Sequence, residues 1–244
     1  MKMKMQIQSL NNRKIWAIVP AAGSGSRFSK TELKQYQRIQ DQTVLEHTVN
    51  RLNQLPLAGC VLAIGEQDDF AHQLNFENAE NIHFCLGGVE RVHSVLNALI
   101  YLSDLAEPND IILVHDAARP CVTVECLYDL VNTVSKVATS AILAIPVRDT
   151  LKRVVHQQSI QQTVSREQLW QAQTPQASSL IKLKTAIETA LKNDIVITDE
   201  ASALEFMGEI VQVVQGRSDN LKITYPDDLE LARLILNAQH GKTA

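Results

Sequence analysis

A run of small residues that ends in positive charge is the first feature with chemical meaning. PAAGSGSRF, residues 20–28, follows an apolar segment and contains Arg27 near its end, and Lys34 lies shortly after it in TELKQY. Backbone amides of small residues can approach an anion closely. The glycines alone fit an ordinary strand-to-helix turn equally well, whereas Arg27 and Lys34 together favour phosphate binding.

This loop matches neither of two common phosphate-binding patterns. Phe28 stands where GxGxxG has its third glycine, and Ser26 follows Gly25 where the Walker pattern has lysine. The sequence therefore argues against hydride transfer and against transfer of a γ-phosphoryl group.

Two further segments carry candidate binding residues. In VHDAARP, Asp116 follows an apolar run, and a carboxylate at a strand end suits Mg²⁺, although taken alone a turn-capping aspartate is slightly favoured. In GGVER, Gly87 and Gly88 suit the close approach of a flat ring, with Ser94 beyond them, but by themselves they are only a turn signal. His115 is interpreted as a strand-end residue with local hydrogen bonds rather than as a general base.

Short apolar runs alternate with longer stretches of helical periodicity. The pattern predicts strands at 15–19, 60–64, 82–86, 111–114, 141–145 and 210–214. It predicts helices with apolar faces at 44–55, 95–102, 127–134, 180–191 and 229–236. The third follows Thr123 as a candidate N-cap, and the last opens after Pro226. Apolar strands separated by helices imply an α/β fold, with a Rossmann-like, mostly parallel sheet covered on both faces.

Such a sheet collects its ligands at the carboxyl ends of its strands, which is where PAAGSGSRF, GGVER and HDAARP fall. Residues 151–164, LKRVVHQQSIQQTV, depart from the pattern and are interpreted as two short strands around a polar turn. An isolated hairpin is marginally stable in water, so we expect this one to lie on the body or on a partner chain. No repeat or linker divides the chain, which predicts one domain over residues 1–244 with a protruding hairpin arm.

Composition limits the function classes. A chain of 244 residues with 45% hydrophobic content can bury roughly 70–75% of its unfolded surface, so it needs no metal or disulfide to fold. A net charge of -4 offers no broad basic face for nucleic acid. No apolar run approaches the ~18 residues of a membrane helix, which predicts no membrane partner and a cytoplasmic protein. The four cysteines have neither metal-ligand nor disulfide-like spacing and are interpreted as buried thiols.

Eight segments in order resemble the 2-C-methyl-D-erythritol 4-phosphate cytidylyltransferases of the non-mevalonate isoprenoid pathway: PAAGSGSRF, LKQY, GGVERVHSV, HDAARP, PVRDT, AQTPQ, ITDEASALE and GRSDNLKIT. The resemblance extends from about Ala17 to Leu236. It implies transfer of CMP from CTP to methylerythritol phosphate, with Mg²⁺ and release of pyrophosphate. The hairpin resembles the family's dimerisation arm, here residues 148–175, which implies a homodimer.

The resemblance also implies roles for single residues. The implied catalytic cations are Arg27, Lys34 and Lys222. The implied nucleotide-binding residues are Pro20, Ala21, Ala22, Gly23, Gly25, Gly87, Gly88, Ser94, Asp116 and Ala117, and Asp116 would also face the metal. The implied ligands of methylerythritol phosphate are Thr150, Arg166, Thr174 and Lys222. A phosphate nucleophile is already anionic at neutral pH, so positioning and fixed positive charge suffice without a general base.

Two other functions stay open from the sequence. A cytidylyltransferase acting on ribitol 5-phosphate would share the glycine loop, the lysine motif and the VHD strand end, but not SREQLWQAQTPQ followed by ITDEASALE. A non-catalytic nucleotide-binding protein could have the same fold, because fold alone does not establish activity. Such a protein would tolerate loss of Arg27 or Lys34, and the full cation set argues for turnover.

Overall fold

A seven-stranded sheet forms the centre of the protein in the computed structural model. The structure describes residues 7, 10–23, 25, 27–29, 32–137, 139–155 and 158–241, without the side chains of residues 137 and 240. The strands in chain order are β1 (Ile15–Pro20), β2 (Arg38–Ile39), β3 (Gln42–Thr43), β4 (Gly59–Ile64), β5 (Ile82–Leu86), β6 (Ile111–Val114), β7 (Ser140–Pro146), β8 (Leu151–Val154), β9 (Ile160–Val164), β10 (Trp170–Ser179) and β11 (Val211–Gln215). The helices are α1 (Val44–Leu52), α2 (Arg91–Leu102), α3 (Val124–Val137), α4 (Leu180–Lys192), α5 (Glu200–Phe206) and α6 (Pro226–His240).

Most pairings in the central sheet are parallel. The strand order is β11-β7-β10-β6-β1-β4-β5. Only β10 runs antiparallel to its neighbours in this sheet as described, pairing with β6 on one side and β7 on the other. The six strands and five helices expected from the apolar pattern are present, and the α/β prediction is confirmed. The pattern did not predict β10, α5 or the two-residue strands β2 and β3.

Side chains alternate across β1 and divide the core into two layers. Ile15, Ala17 and Val19 belong to the layer packed on α1 and α3. Trp16 and Ile18 belong to the layer packed on α2, α4 and α5. Burial on both faces is expected for a parallel strand between crossover helices. A third apolar cluster packs α6 against the chain near the end of β6, beside the predicted ligand edge.

Strand β10 is central despite its polar sequence, WQAQTPQASS. Most of its buried polar side chains have hydrogen-bond partners: Ser178 with Ser140 at 2.8 Å, for example, and Gln176 with Asp199 at 2.8 Å. The exception is Ser179 at the end of the strand, whose buried Oγ has no partner among the described residues. Buried polar groups are tolerated when they are paired in this way. The pairing of β10 with β7 is irregular between Ala172 and Gln176, and this interval contains the cis peptide bond between Thr174 and Pro175.

Strands β8 and β9 form a hairpin separate from the main sheet, as predicted for residues 151–164. Residues 156 and 157 of that stretch lie outside the described residues. Large apolar side chains on and beside the hairpin are between 39% and 62% exposed: Val154, Val155, Ile160, Leu169 and Trp170. None of the described helices has both the length and the apolar content needed to cross a membrane.

Candidate active site

A cavity opens at the carboxyl edge of the sheet, where the loops after β1, β5 and β6 meet the segment that precedes α6. Its volume is about 340 Å³, within the usual range for small-molecule sites. The implied catalytic cations Arg27, Lys34 and Lys222 all line it, as do all the implied nucleotide-binding residues except Gly87. The topology therefore gathers residues that are nearly 200 positions apart in the sequence.

The loop after β1 lies against the short 3₁₀ turn Lys34–Tyr36. Gly25 has a φ of +62°, and a Cβ there would lie 3.3 Å from Cγ of Lys34, so both backbone conformation and space favour glycine. Beneath the loop, the side chain of Gln35 donates to the carbonyl of Ala21 at 2.9 Å. Ser24 and Ser26 of this loop lie outside the described residues.

Lys34 is held at the cavity by a backbone carbonyl. Its Nζ donates to the carbonyl oxygen of Ile223 at 2.9 Å. Burial lowers the pKa of Lys34, and the nearby charge of Lys222 lowers it further, while Asp116 acts in the opposite direction. Arg27, by contrast, is exposed on the same cavity. Two cations on the loop side therefore face the cavity together with Lys222 from the segment before α6.

Asp116 lies at the centre of a cluster of ion pairs. Its Oδ1 accepts from Nε of Arg91 at 2.9 Å. Its Oδ2 contacts Nζ of Lys222 at 2.8 Å and Nε of Arg119 at 3.3 Å. Burial would raise the pKa of Asp116, but the three cations outweigh burial and hold that pKa well below its usual range. Asp116 is therefore ionised, and these four residues together carry net positive charge.

These contacts bear on the prediction that Asp116 faces a metal ion. Mg²⁺ in proteins commonly takes one or two carboxylates and completes its shell with substrate phosphates and water. Both oxygens of Asp116 already face cations, and Glu90, the other carboxylate on the cavity, is exposed. Among the described residues, no three His, Cys, Asp or Glu side chains are grouped to hold a metal. The residues present do not fit a metal ion held by the protein.

A chain of hydrogen bonds fixes the backbone of Asp116. The amide of Asp116 donates to Oγ1 of Thr174 at 3.0 Å, and this hydroxyl lies 2.9 Å from Nδ1 of His115. Nε2 of His115 lies 3.1 Å from the carbonyl of Arg119, which can only accept. The proton is therefore on Nε2, and Thr174 donates to Nδ1. Burial lowers the pKa of His115 to about 4, so the ring is neutral, and both of its nitrogens take part in local hydrogen bonds.

Arg91 joins the cluster to a second buried carboxylate. It is the first residue of α2, and its NH1 and NH2 bind Glu200 at 2.7 Å and 3.1 Å. Glu200 is 3% exposed and is the first residue of α5, after the N-cap Asp199. Gln176 of β10 holds the same helix start by accepting from the amide of Ala201 at 2.8 Å. The guanidinium group of Arg91 therefore binds two carboxylates, and these bonds fix the position of α2 relative to α5.

The segment that carries Lys222 is anchored to β10 and to the loop after β6. Fully buried Asn220 donates to the carbonyl of Thr174 at 2.9 Å, and its own carbonyl accepts from NH1 of Arg119 at 2.7 Å. Gln173 donates to the carbonyl of Arg217 at 2.8 Å. Lys222 thus lies two residues after the anchored Asn220, and its ammonium group contacts Asp116.

The loop after β5 needs its glycines for close packing. A Cβ on Gly87 would lie 2.3 Å from Cβ of Ala22, and one on Gly88 would lie 2.3 Å from Cβ of His93. The amide of Gly88 donates to Oγ of Ser94 at 2.9 Å. Gly87 thus brings this loop against the loop after β1, and the two loops form adjoining parts of the cavity wall.

Comparison with known proteins agrees with this arrangement. A family model described as 2-C-methyl-D-erythritol 4-phosphate cytidylyltransferase matches residues 15–238. The chain belongs to this family. A protein of that name from Acinetobacter baumannii strain ATCC 17978 is 71% identical over 227 residues, which cover 93% of this chain and 95% of the relative. Another from Acinetobacter baylyi is 62% identical over 237 residues, which cover 97% and 99%.

Solved structures of the family share the fold. The crystal structure of a 4-diphosphocytidyl-2C-methyl-D-erythritol synthase matches with a TM-score of 0.80 at 38% identity, covering 92% of this chain and 99% of that one. The Francisella tularensis 2-C-methyl-D-erythritol 4-phosphate cytidylyltransferase matches with a TM-score of 0.79 at 36% identity, covering 91% and 99%. The chain is therefore a nucleotidyltransferase of this family, and its sheet has the family's fold.

Three residues implied to bind the family's acceptor lie apart from the cavity. Thr150 and Arg166 are exposed at the base of the hairpin, where Arg166 donates to the carbonyl of Arg148. Thr174 is buried behind Asp116 and bonded to it. A single chain thus gathers the three cations and the residues predicted to bind nucleotide, but it does not bring Thr150 and Arg166 to the cavity.

Sequence reasoning missed several residues of the site. Four of them lie inside segments in which another residue had been singled out: Gln35 in LKQY, Arg91 in GGVER, Arg119 in HDAARP and Asn220 in GRSDNLKIT. Glu200 lies in ITDEASALE, a segment that carries the family resemblance but in which no residue had been singled out. The available signal was a charged or amide side chain next to a glycine, a strand end or a helix start. It did not reveal that these side chains pair with one another.

Neutral, buried His115 predicts a pH-dependent stability. Unfolding below pH 6.5 takes up a proton that the folded ring, with a pKa of about 4, does not bind, so stability falls as the pH drops through that window. Compared with wild type, His115→Asn should lose about 2 kcal/mol less free energy of unfolding between pH 7 and pH 5. Urea unfolding in EDTA at both pH values measures this. His72→Asn, at an exposed histidine, is the control; equal losses for His115→Asn and wild type would contradict the prediction.

Proposed function

We propose that this protein transfers CMP from CTP to 2-C-methyl-D-erythritol 4-phosphate, forming 4-diphosphocytidyl-2-C-methyl-D-erythritol and pyrophosphate. The main support is one cavity that combines a loop of small residues with Arg27, Lys34 and Lys222, while its buried carboxylate is already neutralised by cations. Its relatives are named for the same substrate. Such a cavity suits two substrates that both carry phosphate.

In this proposal CTP lies with its triphosphate on the loop after β1. The amides of Ala22 and Gly23 have no hydrogen-bond partner among the described residues and are available to phosphate oxygens. Arg27 and Lys34 face the triphosphate charge. The loop after β5 takes the cytosine, with Gly87, Gly88 and Ser94. The remaining proposed nucleotide contacts are Pro20, Ala21, Gly25, Asp116 and Ala117.

The chemical step is an in-line displacement at the α-phosphorus. An oxygen of the acceptor's phosphate forms the new bond to that phosphorus, and the bond to the bridging oxygen of the β-phosphate breaks, so pyrophosphate leaves with the electron pair. The acceptor phosphate is ionised at neutral pH and gives up no proton in the attack. The protein's task is to bring two anions together and to stabilise the departing charge, which Lys34, Arg27 and Lys222 do.

A divalent cation, which we take to be Mg²⁺, enters this proposal as part of the nucleotide substrate. Because the oxygens of Asp116 face cations, the ion would be bound by phosphate oxygens and water rather than by Asp116. In our proposal Asp116 instead holds the cations that surround the two substrates.

We further propose that residues 148–175 form an arm that completes the site of a second subunit. The arm's exposed apolar side chains, such as Ile160 at 62%, have no cover in the single chain as described, and a two-stranded hairpin is marginal alone. Thr150 and Arg166 would then reach the acceptor phosphate in the partner's cavity, where Lys222 faces it from the other side. Thr174, which is buried, would support Asp116 rather than contact the acceptor. Use of CTP suits a cytoplasmic location, with no nucleic acid or membrane as partner.

The substrate assignment is tested by release of pyrophosphate. Purified protein with CTP, Mg²⁺ and methylerythritol phosphate should release pyrophosphate, and exchange of CTP for GTP or of the acceptor for ribitol 5-phosphate should give far less. Release no faster than without protein would exclude the enzymatic function. Equal rates with ribitol 5-phosphate would mean that the acceptor assignment is wrong and would favour a ribitol 5-phosphate cytidylyltransferase.

The loop cations should be required for turnover. We expect Arg27→Ala and Lys34→Ala each to lower kcat by about 10²-fold or more, because fixed charges at developing oxyanions typically contribute that much. Lys192→Ala, at an exposed lysine at the end of α4, is the matched control and should keep wild-type kcat. Steady-state kinetics with both substrates saturating provides the measurement. Wild-type kcat in either loop variant would show that its cation is not needed.

The arm should complement a defective cavity across the interface. Homodimers of Arg166→Ala and of Lys34→Ala should each be nearly inactive. Heterodimers purified through two different tags should recover about half of wild-type activity, because one of the two sites then has an intact cavity and an intact arm. Heterodimers as inactive as the parents would mean that each chain uses its own Arg166.

A further inference from the structure

A buried amide side chain lies directly beneath the loop after β1. Gln35 is only 3% exposed, and its Nε2 donates to the carbonyl of Ala21 at 2.9 Å and lies 3.4 Å from the carbonyl of Gly23. A buried side chain of this type could pair with water or with its own turn. Here the side-chain amide of Gln35 instead donates to two backbone carbonyls of the small-residue loop.

Holding a carbonyl in place also orients the amide of the next residue. In a planar trans peptide the C=O and the following N–H point in opposite directions. Because the carbonyl of Ala21 is bonded to Gln35, the amide of Ala22 faces the other way, and it has no partner among the described residues. If this peptide plane rotated, its carbonyl oxygen would face the ligand's side and repel a phosphate. The contact from Gln35 thus selects the orientation in which the loop can bind an anion.

The turn that carries Gln35 is anchored independently of the loop. Tyr36 donates to Asp68 at 2.5 Å, and its ring packs edge-on against Phe70 with centroids 4.8 Å apart. Burial raises the pKa of the Tyr36 hydroxyl above its ordinary range, and Asp68 adds to the shift, so this contact persists at working pH. On the other side of the turn Lys34 is bonded to Ile223. Gln35 therefore transmits the position of a rigid turn to the loop.

We propose that Gln35 is a positioning residue for the triphosphate: by holding the carbonyl of Ala21, it keeps the amide of Ala22 directed to the β- and γ-phosphates of the nucleotide. This inference rests on the proposed use of CTP. It places the effect of Gln35 on the phosphates rather than on the base or the acceptor. It also couples the position of the loop to that of Lys34, because Lys34 and the Gln35 that holds the loop are neighbours in the same turn.

The test compares the same substitution at two glutamines, Gln35 in the turn and Gln37 directly after it. Gln35→Met keeps length and volume but removes the donor. Gln37→Met changes the next but one residue, whose side chain makes an exposed contact with Glu32. Calorimetry with Mg²⁺ measures binding of CTP and of CMP, which lacks the β- and γ-phosphates. For Gln35→Met we expect the Kd of CTP to rise by about 10-fold or more, because the charge-assisted hydrogen bond from the Ala22 amide to the β- or γ-phosphate is lost. The Kd of CMP, which does not make this bond, should rise by less than about 2-fold. Gln37→Met should match wild type.

Kinetics gives a second reading that a purely structural role would not produce. Gln35→Met should raise KM for CTP while KM for methylerythritol phosphate stays within about 2-fold of wild type. An unchanged ratio of CTP to CMP affinity, or equal weakening of both nucleotides, would overturn the proposal. If circular dichroism shows that Gln35→Met does not fold, Gln35→Asn decides, because it keeps the amide but shortens the reach. In Gln35→Asn the affinity for CTP relative to that for CMP should also fall, and an unchanged ratio of the two affinities would overturn the proposal.

The two proposals fail in different ways. Wild-type protein that does not bind CTP, or that binds it without releasing pyrophosphate in the presence of acceptor, would remove the proposed function and this inference with it. Wild-type protein that is active, with a Gln35→Met variant that keeps the wild-type preference for CTP over CMP, would remove only the role of Gln35.

Discussion

The buried carboxylate of Asp116 is the interaction on which the arrangement of the site depends. It draws together Arg91 from the start of α2, Arg119 from the loop after β6 and Lys222 from the segment before α6. Three cations this close would repel one another, and a buried charge without partners is costly. The carboxylate of Asp116 solves both problems: it offsets the repulsion between the three cations, and they in turn pair its buried charge. The cluster as a whole stays positive. A site for two anionic substrates therefore needs an acid at its centre.

The polar strand β10 serves this cluster. Thr174 accepts from the amide of Asp116, while Gln173 and Asn220 tie the lysine-bearing segment to the same strand. A fully apolar strand would pack as well in the sheet but would leave the backbone of the site without these partners. Since the buried side chains of Gln173, Thr174, Gln176 and Ser178 are all paired, the sheet tolerates this strand near its centre. Sheet stability and site geometry are thus two consequences of one hydrogen-bond network.

In the central sheet and its helices, the elements that were predictable from sequence are those stabilised by burial of apolar side chains. β1 and β6 are apolar runs because both of their faces are covered, and the 3.6-residue period of α1 and α3 follows from packing on one face. β10 is buried through hydrogen bonds instead, so its sequence carries no apolar signal. Helix α5 has only seven residues, too few to show a period clearly. Pairing partners such as Gln176 and Asp199 are a tertiary property that local patterns do not contain.

The same distinction holds in the site. Arg27 and Lys34 were found because they follow the loop of small residues, and Lys222 because a family motif marks it, whereas the role of Arg91 was not visible. A cation in the first turn of a helix is disfavoured by the helix dipole, so an arginine there needs compensation from elsewhere. Glu200 and Asp116 provide it, from positions far away in sequence. A charge placed against the helix dipole is thus a physical sign of a distant partner, although the sequence alone does not say which one.

A chain with a net charge of -4 can hold a triphosphate because the relevant charges act over short distances. Surface charges separated by more than about 8 Å are largely screened at physiological ionic strength. Cations that line a partly buried cavity are screened much less, and here they are already fixed before substrate binds: Lys34 on the carbonyl of Ile223 and Lys222 on Asp116. Little reorganisation is then needed when phosphate oxygens arrive, which favours both binding and stabilisation of the leaving pyrophosphate. Local placement of cations, rather than the sign of the whole surface, is what suits this protein to anionic substrates.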